Sequence, residues 1–249
     1  RSDIAQLRFN FKGNGRIEFP KASGFEIPRY GLYGPRMTFS KVIATGPLHV
    51  IGAGILPVAW SALTGLPADK YINTVVDAEL FFGPELVTVA EAGRVAGEQG
   101  NFQAAVDGID AFLLSRVKAA RSVPLWFTRA VNAWLEADIN PEIEPLLDST
   151  GLSQRQVERL CKTHYGGPPR TLIRKYNALR TANAIARGDG DWQDHAAENY
   201  YDHSHCIRDI KEFTGITPNM IKEHSSKLSL LTFGRSQLLG EIAPLSAVT

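Results

Sequence analysis

Arg155 and Arg159 stand one helical turn apart in the run Ser153-Gln154-Arg155-Gln156-Val157-Glu158-Arg159-Leu160. A guanidinium can hold guanine O6 and N7 together, and a glutamine amide can read adenine in the same bidentate way. Ser153 is a good helix N-cap. Gln154, Arg155, Glu158, Arg159 and Lys162 are therefore expected to project from an exposed helix start, with Val157, Leu160 and Cys161 facing inward. A short helix over 143–147 and the turn Ser149-Thr150-Gly151-Leu152 come just before. Two short helices joined by a Gly-containing turn make a helix-turn-helix, although an ordinary helical hairpin has the same pattern.

A second copy of the arrangement lies downstream. Residues 192–199 read as a short helix, Tyr200-Tyr201-Asp202 as a turn, and His203-Ser204-His205-Cys206-Ile207-Arg208 as another helix start. Between the copies, 169–187 reads as a connecting helix, roughly 28 Å long at 1.5 Å per residue. One turn of duplex DNA is about 34 Å, so two helix starts held this far apart can enter successive major grooves on one face.

The stretches GLSQRQVERL and YGGPPRTLIRKY within 151–176, and YYDHSHCIRDIKEFTGITP over 200–218, resemble the two signatures of the AraC/XylS family of bacterial transcription regulators. The resemblance spans about 100 residues, 123–222. It implies an all-helical domain with two helix-turn-helix units that binds double-stranded DNA. By position, the base-reading places would fall on Arg155, Glu158 and Arg159 in the first unit, and on His203, Ser204, His205 and Arg208 in the second. Ser153, Gln154, Lys162, Arg170 and Arg174 complete the expected DNA-binding set, through the helix start and through basic side chains on phosphate. The sequence departs from the family pattern at Cys161, Asn177 and His195, and at Asn199-Tyr200 or Tyr200-Tyr201, where Gly-Tyr is usual and the turn reads one residue short. Asn tolerates the left-handed conformation that Gly would supply.

Charge divides unevenly between the units. Over 150–188 the basic residues are Arg155, Arg159, Lys162, Arg170, Arg174, Lys175, Arg180 and Arg187, against Glu158 alone. Over 189–212 seven acids face only Arg208 and Lys211. Phosphate contact dominates DNA affinity, so the first unit and connecting helix are expected to supply most of it.

The elements that must position these residues read as an α+β chain. Its 249 residues are 44% hydrophobic and 21% charged with a formal net charge of +1, enough for a real core and too balanced to announce a nucleic-acid partner globally. Leu7, Phe9 and Phe11 alternate with polar residues, Gly13-Asn14-Gly15 reads as a turn, and Ile17 and Phe19 alternate again, as in a hairpin. Strand-like runs follow at 37–44 and 48–55, then a short helix at 58–63 before Gly65 and Pro67. From Asn101 the chain reads as helical through Ala119, and a second helix starting at Pro124 carries Phe127, Val131, Trp134 and Leu135 on one face. The expected domains are a β-rich sensor-like domain at 1–97, a helical linker at 98–122, the double helix-turn-helix at 123–222 and a C-terminal extension at 223–249.

Other chemistry finds less support. His195, His203, His205 and Cys206 match no standard zinc spacing. Cys161 and Cys206 read as small core residues, and two cysteines suit a reducing compartment. Trp60, Phe9, Phe11, Phe25, Tyr30 and Tyr33 are read as core first and as an effector pocket second. No Gly-x-Ser-x-Gly elbow or His-Glu-x-x-His pair is present, so neither catalysis nor a cofactor is expected. No apolar run approaches the ~18 residues of a membrane span. The chain opens on Arg1-Ser2-Asp3 without Met, and its start is read as processed or truncated. The expected role is cytoplasmic, effector-responsive transcription regulation, with a second copy of the chain and RNA polymerase among the expected partners. The competing reading is a ligand-binding or protein-interaction module with a degenerate DNA-binding half.

Overall fold

The computed structural model describes residues 3–20, 24–120 and 125–224. Pro124, residues 121–122 of the expected linker and 225–249 of the expected extension lie outside the described residues.

Strands β1 (Ala5–Glu18), β2 (Phe25–Glu26), β3 (Tyr30–Tyr33), β4 (Lys41–Ile55) and β5 (Val75–Asp77) form an antiparallel half-barrel. β1 is its spine, pairing with β4 along one edge and with β2 and β3 along the other. The alternation in β1 follows burial, with Leu7, Phe9 and Ile17 fully buried.

Two expectations are corrected here. Gly13-Asn14-Gly15 is not a hairpin turn: β1 runs straight through it, with register shifts against β4 between Asn10 and Asn14. Gly13 takes φ +83° and Asn10 Nδ2 donates to its carbonyl at 2.9 Å, so the extra residues form a bulge rather than a reversal. Likewise 41–44 and 48–55 belong to one strand, β4, which crosses Gly46-Pro47 opposite that bulge, while 37–40 form a loop before it. Pro47 has no N–H to add to the ladder, and β4 is an edge strand, where that loss is tolerated.

Helices α1 (Pro57–Thr64), α2 (Glu79–Phe82), α3 (Pro84–Glu98) and α4 (Phe102–Ala119) cover the sheet. Helix α1 ends at Gly65 in the left-handed conformation, and the side chain of Asn101 caps α4 by accepting from Ala104 N–H. Ile109 and Phe112 of α4 share a core with Phe9, Leu32, Trp60 and Leu86, so the segment expected as a linker is packed onto the N-terminal half. Phe9, Tyr30 and Trp60 belong to this core, with Phe11 packed against it; Tyr33 and Phe25 pack in a smaller cluster with Ile17 and Phe19.

The second half is helical: α5 (Leu125–Ala137), α6 (Glu144–Thr150), α7 (Gln154–Tyr165), α8 (Pro169–Arg187), α9 (Trp192–Asn199), α10 (His203–Thr214) and α11 (Pro218–His224). Helix α8 serves two cores. Its Leu172 and Tyr176 pack with Phe127, Trp134, Val157 and Cys161, while Ala178, Leu179, Ala182 and Ile185 pack with Cys206, Ile210 and Phe213. Small residues at 178 and 182 let α10 approach closely. Among the described residues no helix is long and apolar enough to cross a membrane.

The halves meet along a polar seam. The Asp3 carboxylate pairs with Arg36 at 2.8 Å, both buried, and the Asp3 carbonyl accepts from buried Lys175 Nζ of α8 at 3.2 Å. The loop after Pro35 reaches both units: Met37 lies against Gly166 at the end of α7, and Phe39 against Gly215 at the end of α10. Thr38 Oγ1 and Phe39 N–H both donate to the Glu212 carbonyl.

Candidate nucleic-acid interface

Helix α7 is pinned from its inner face. Val157 and Cys161 are fully buried, and the Tyr165 hydroxyl donates to Thr128 O at 3.0 Å and Asn132 Oδ1 at 2.6 Å on α5. At its start Ser153 takes an extended conformation, and Gln156 Oε1 reaches back to accept from Ser153 N–H at 3.0 Å, as in a capping box. That bond occupies the Gln156 carbonyl. Ser153, Gln154, Arg155, Arg159 and Lys162 are exposed on the outer face, and Glu158, half-exposed, accepts from Gln154 at 3.2 Å.

In the second unit, Asp202 caps α10 by accepting from His205 N–H at 2.8 Å. His203, Ser204, His205 and Arg208 are exposed around this start. The turn before it does not use a left-handed residue. Tyr200 has φ −135°, extended backbone open to any residue, whereas the first unit turns through Gly151 at φ +64°. Asn199 therefore supplies no left-handed conformation, and the unit closes without one. The other departures are also absorbed. Cys161 is fully buried, Asn177 is buried and donates to Asn140 at 3.0 Å, and the His195 ring bonds the Asp189 carbonyl at 2.6 Å.

Only part of the basic charge over 150–188 faces solvent unpaired. Arg155, Arg159, Lys162 and Arg170 are exposed and make no ion pair among the described residues. Lys175 is buried at the seam, Arg180 donates to the Leu135 carbonyl at 2.6 Å, and Arg187 pairs with Asp189. Arg174, expected on phosphate, instead binds Asp209 at 2.6 Å and Glu212 at 2.5 Å. The reason is geometric: α8 and α10 are packed together there, and Asp209 is buried where the Arg174 guanidinium reaches it. Arg174 thus joins the two units, and those carboxylates hold its pKa above the ordinary arginine value.

Among the described residues, His195, His203, His205 and Cys206 do not converge on one site. Cys206 is buried, His203 packs edge-on to Trp192, and His195 is held by Asp189. Burial pushes the Cys161 thiol up to about 12 and the Cys206 thiol up to about 11, which suits inert core residues. Tyr201, which sequence reasoning passed over as a turn residue, is almost wholly exposed beside Arg208. It lines, with Arg170, His205 and Arg208, an open cleft of about 530 Å³ between the units. No periodicity marks a turn tyrosine, so only the folded arrangement brings it to the surface.

Residues 146–224 match the family model for a helix-turn-helix domain. No curated protein and no solved structure matches the chain. The matched segment runs from α6 to α11, and it is an AraC-type helix-turn-helix domain, a DNA-binding domain of transcription regulators.

Proposed function

We propose that the protein is a sequence-specific, effector-responsive transcription regulator in which α7 and α10 enter successive major grooves. The observation that supports this best is the exposed set Arg155, Arg159 and Lys162, without an ion pair among the described residues, on a helix whose opposite face is locked into a core. Arg155 and Arg159 read bases, and Lys162 and Arg170 hold phosphates. His203, Ser204, His205 and Arg208 supply sequence preference from the second unit. The half-barrel senses a small molecule, and the seam carries its effect by shifting the population of DNA-competent arrangements. Phe102, Val106 and Val117 form an exposed apolar stripe on α4, which supports self-association through that face.

Selection of bound fragments from genomic DNA tests the reading and yields the operator together. On the recovered duplex, Arg159→Ala is expected to reduce the salt dependence of binding more than Arg208→Ala. The reverse order would show that the second unit carries the affinity, and a chain that ignores duplexes in dilute buffer would leave only a ligand-binding module.

A further inference from the structure

The N-terminal half places a short segment directly beside the first recognition helix. The 3₁₀ turn Ala68–Lys70 packs against α7, and an open cleft of about 600 Å³ runs between them. Asp69 and Lys70 line one wall; Arg155, Arg159 and Lys162 line the other, with Glu158. The turn is rigidly mounted. Ala68 is fully buried in the N-terminal core, Tyr71 N–H donates to its carbonyl at 3.0 Å, and Trp60 Nε1 holds the Leu66 carbonyl at 2.9 Å just upstream. Lys70 is exposed at the end of the turn and makes no ion pair among the described residues.

An α-helix with its side chains is about 10–12 Å across, and the major groove is about 12 Å wide. A helix seated in the groove therefore has a sugar-phosphate strand on each flank. Any protein wall standing beside that helix must either admit the strand or collide with it. Resting on the reading that α7 enters the groove, we propose that this cleft is a phosphate-backbone site. One strand lies across the open mouth of this cleft, gripped from the α7 side by Arg159 and Lys162 and from the 3₁₀ turn by Lys70. The N-terminal half is then part of the DNA footprint. Asp69, in the same cleft, opposes the strand and limits affinity, so any movement of the turn changes DNA binding without changing which bases are read.

The test uses the full chain and a duplex recovered from the genomic selection, with dissociation constants measured over a range of KCl concentrations. Lys70→Ala is expected to weaken binding equally on the operator and on base-substituted operators, and to lower the slope of log K against log salt by about 0.9. Asp69→Asn is expected to tighten binding on both. Lys12→Ala removes the same charge from the sheet, outside the cleft, and is expected to leave the slope unchanged. A Lys70→Ala slope equal to that of Lys12→Ala overturns the proposal. So does tighter binding by Lys70→Ala, which would mean the turn obstructs α7. Both of those results leave the regulator reading standing, whereas absence of duplex binding by the unsubstituted chain removes both.

Discussion

Arg174 shows how one side chain changes meaning on folding. In sequence it is one more cation in a basic stretch. In the structure its guanidinium bridges Asp209 and Glu212, and the Asp209 side chain is only 7% exposed. Removing the cation strands a buried carboxylate, which costs more than the pair itself contributes. The Arg174 side chain is 38% exposed, and solvent screening reduces the effect. Arg174→Ala is expected to lower unfolding stability by about 1–3 kcal/mol in urea titration. The salt dependence of DNA binding should change less than with Arg159→Ala. The same pairing explains why the acidic character of the second unit overstates its repulsion of DNA: two of its acids are already matched by Arg174, and Asp189 by Arg187.

At the scale of elements, helices α7 and α10 end alike. Each stops at a glycine in the left-handed region, Gly166 at φ +87° and Gly215 at φ +85°. Each glycine also lies under a residue of the loop following Pro35. A Cβ at 215 would stand 2.7 Å from the Phe39 ring, and one at 166 would stand 2.7 Å from Ile72 and 3.2 Å from Met37. One loop of the N-terminal half thus seats the ends of both helices. Gly215→Ala combines an unfavourable backbone conformation with a collision, and is expected to cost about 1–3 kcal/mol in chemical denaturation. Shortening the facing ring in Phe39→Leu should recover part of that loss if the collision contributes.

At the scale of the whole molecule, the seam between the halves contains a titratable latch. His164, on α7, is buried and its Nδ1 shares a hydrogen bond with Ser61 Oγ of α1 at 3.0 Å. Lys175 lines the same small cavity, and Phe127 packs against the imidazole. Burial lowers the pKa of His164 below its ordinary value, because the charged form loses water. The unfolded chain therefore binds the proton more readily than the folded one. The contribution is present above the unfolded value of about 6.5 and is lost as pH falls from there through the lowered folded value. Urea denaturation across this window is expected to show the unsubstituted protein losing stability more steeply than His164→Asn. Parallel profiles would show that the imidazole does not titrate on unfolding.

Local chemistry made much of the DNA-binding half legible in advance. Ser153 before an amphipathic run, Gly151 in a short turn and the 3.6-residue spacing of Phe127, Val131, Trp134 and Leu135 are short-range signals, and each was met in the fold. The bulge in β1 and the continuity of β4 were not legible, because Gly13-Asn14-Gly15 has the same local preferences in a bulge as in a turn, and only the partner strand selects between them.

In the DNA-binding half the sequence by itself determined which helices form and which faces are apolar, since these depend on neighbours a few residues away; helices α2 and α3, within the stretch expected to be β-rich, were not foreseen. Tertiary structure alone decided which cations remain available to DNA, because that depends on Asp209, Glu212, Asp3 and Leu135 arriving from distant parts of the chain. It also decided that Lys70 stands beside Arg159, a neighbourhood created when the half-barrel docks on α7 and invisible to any local pattern.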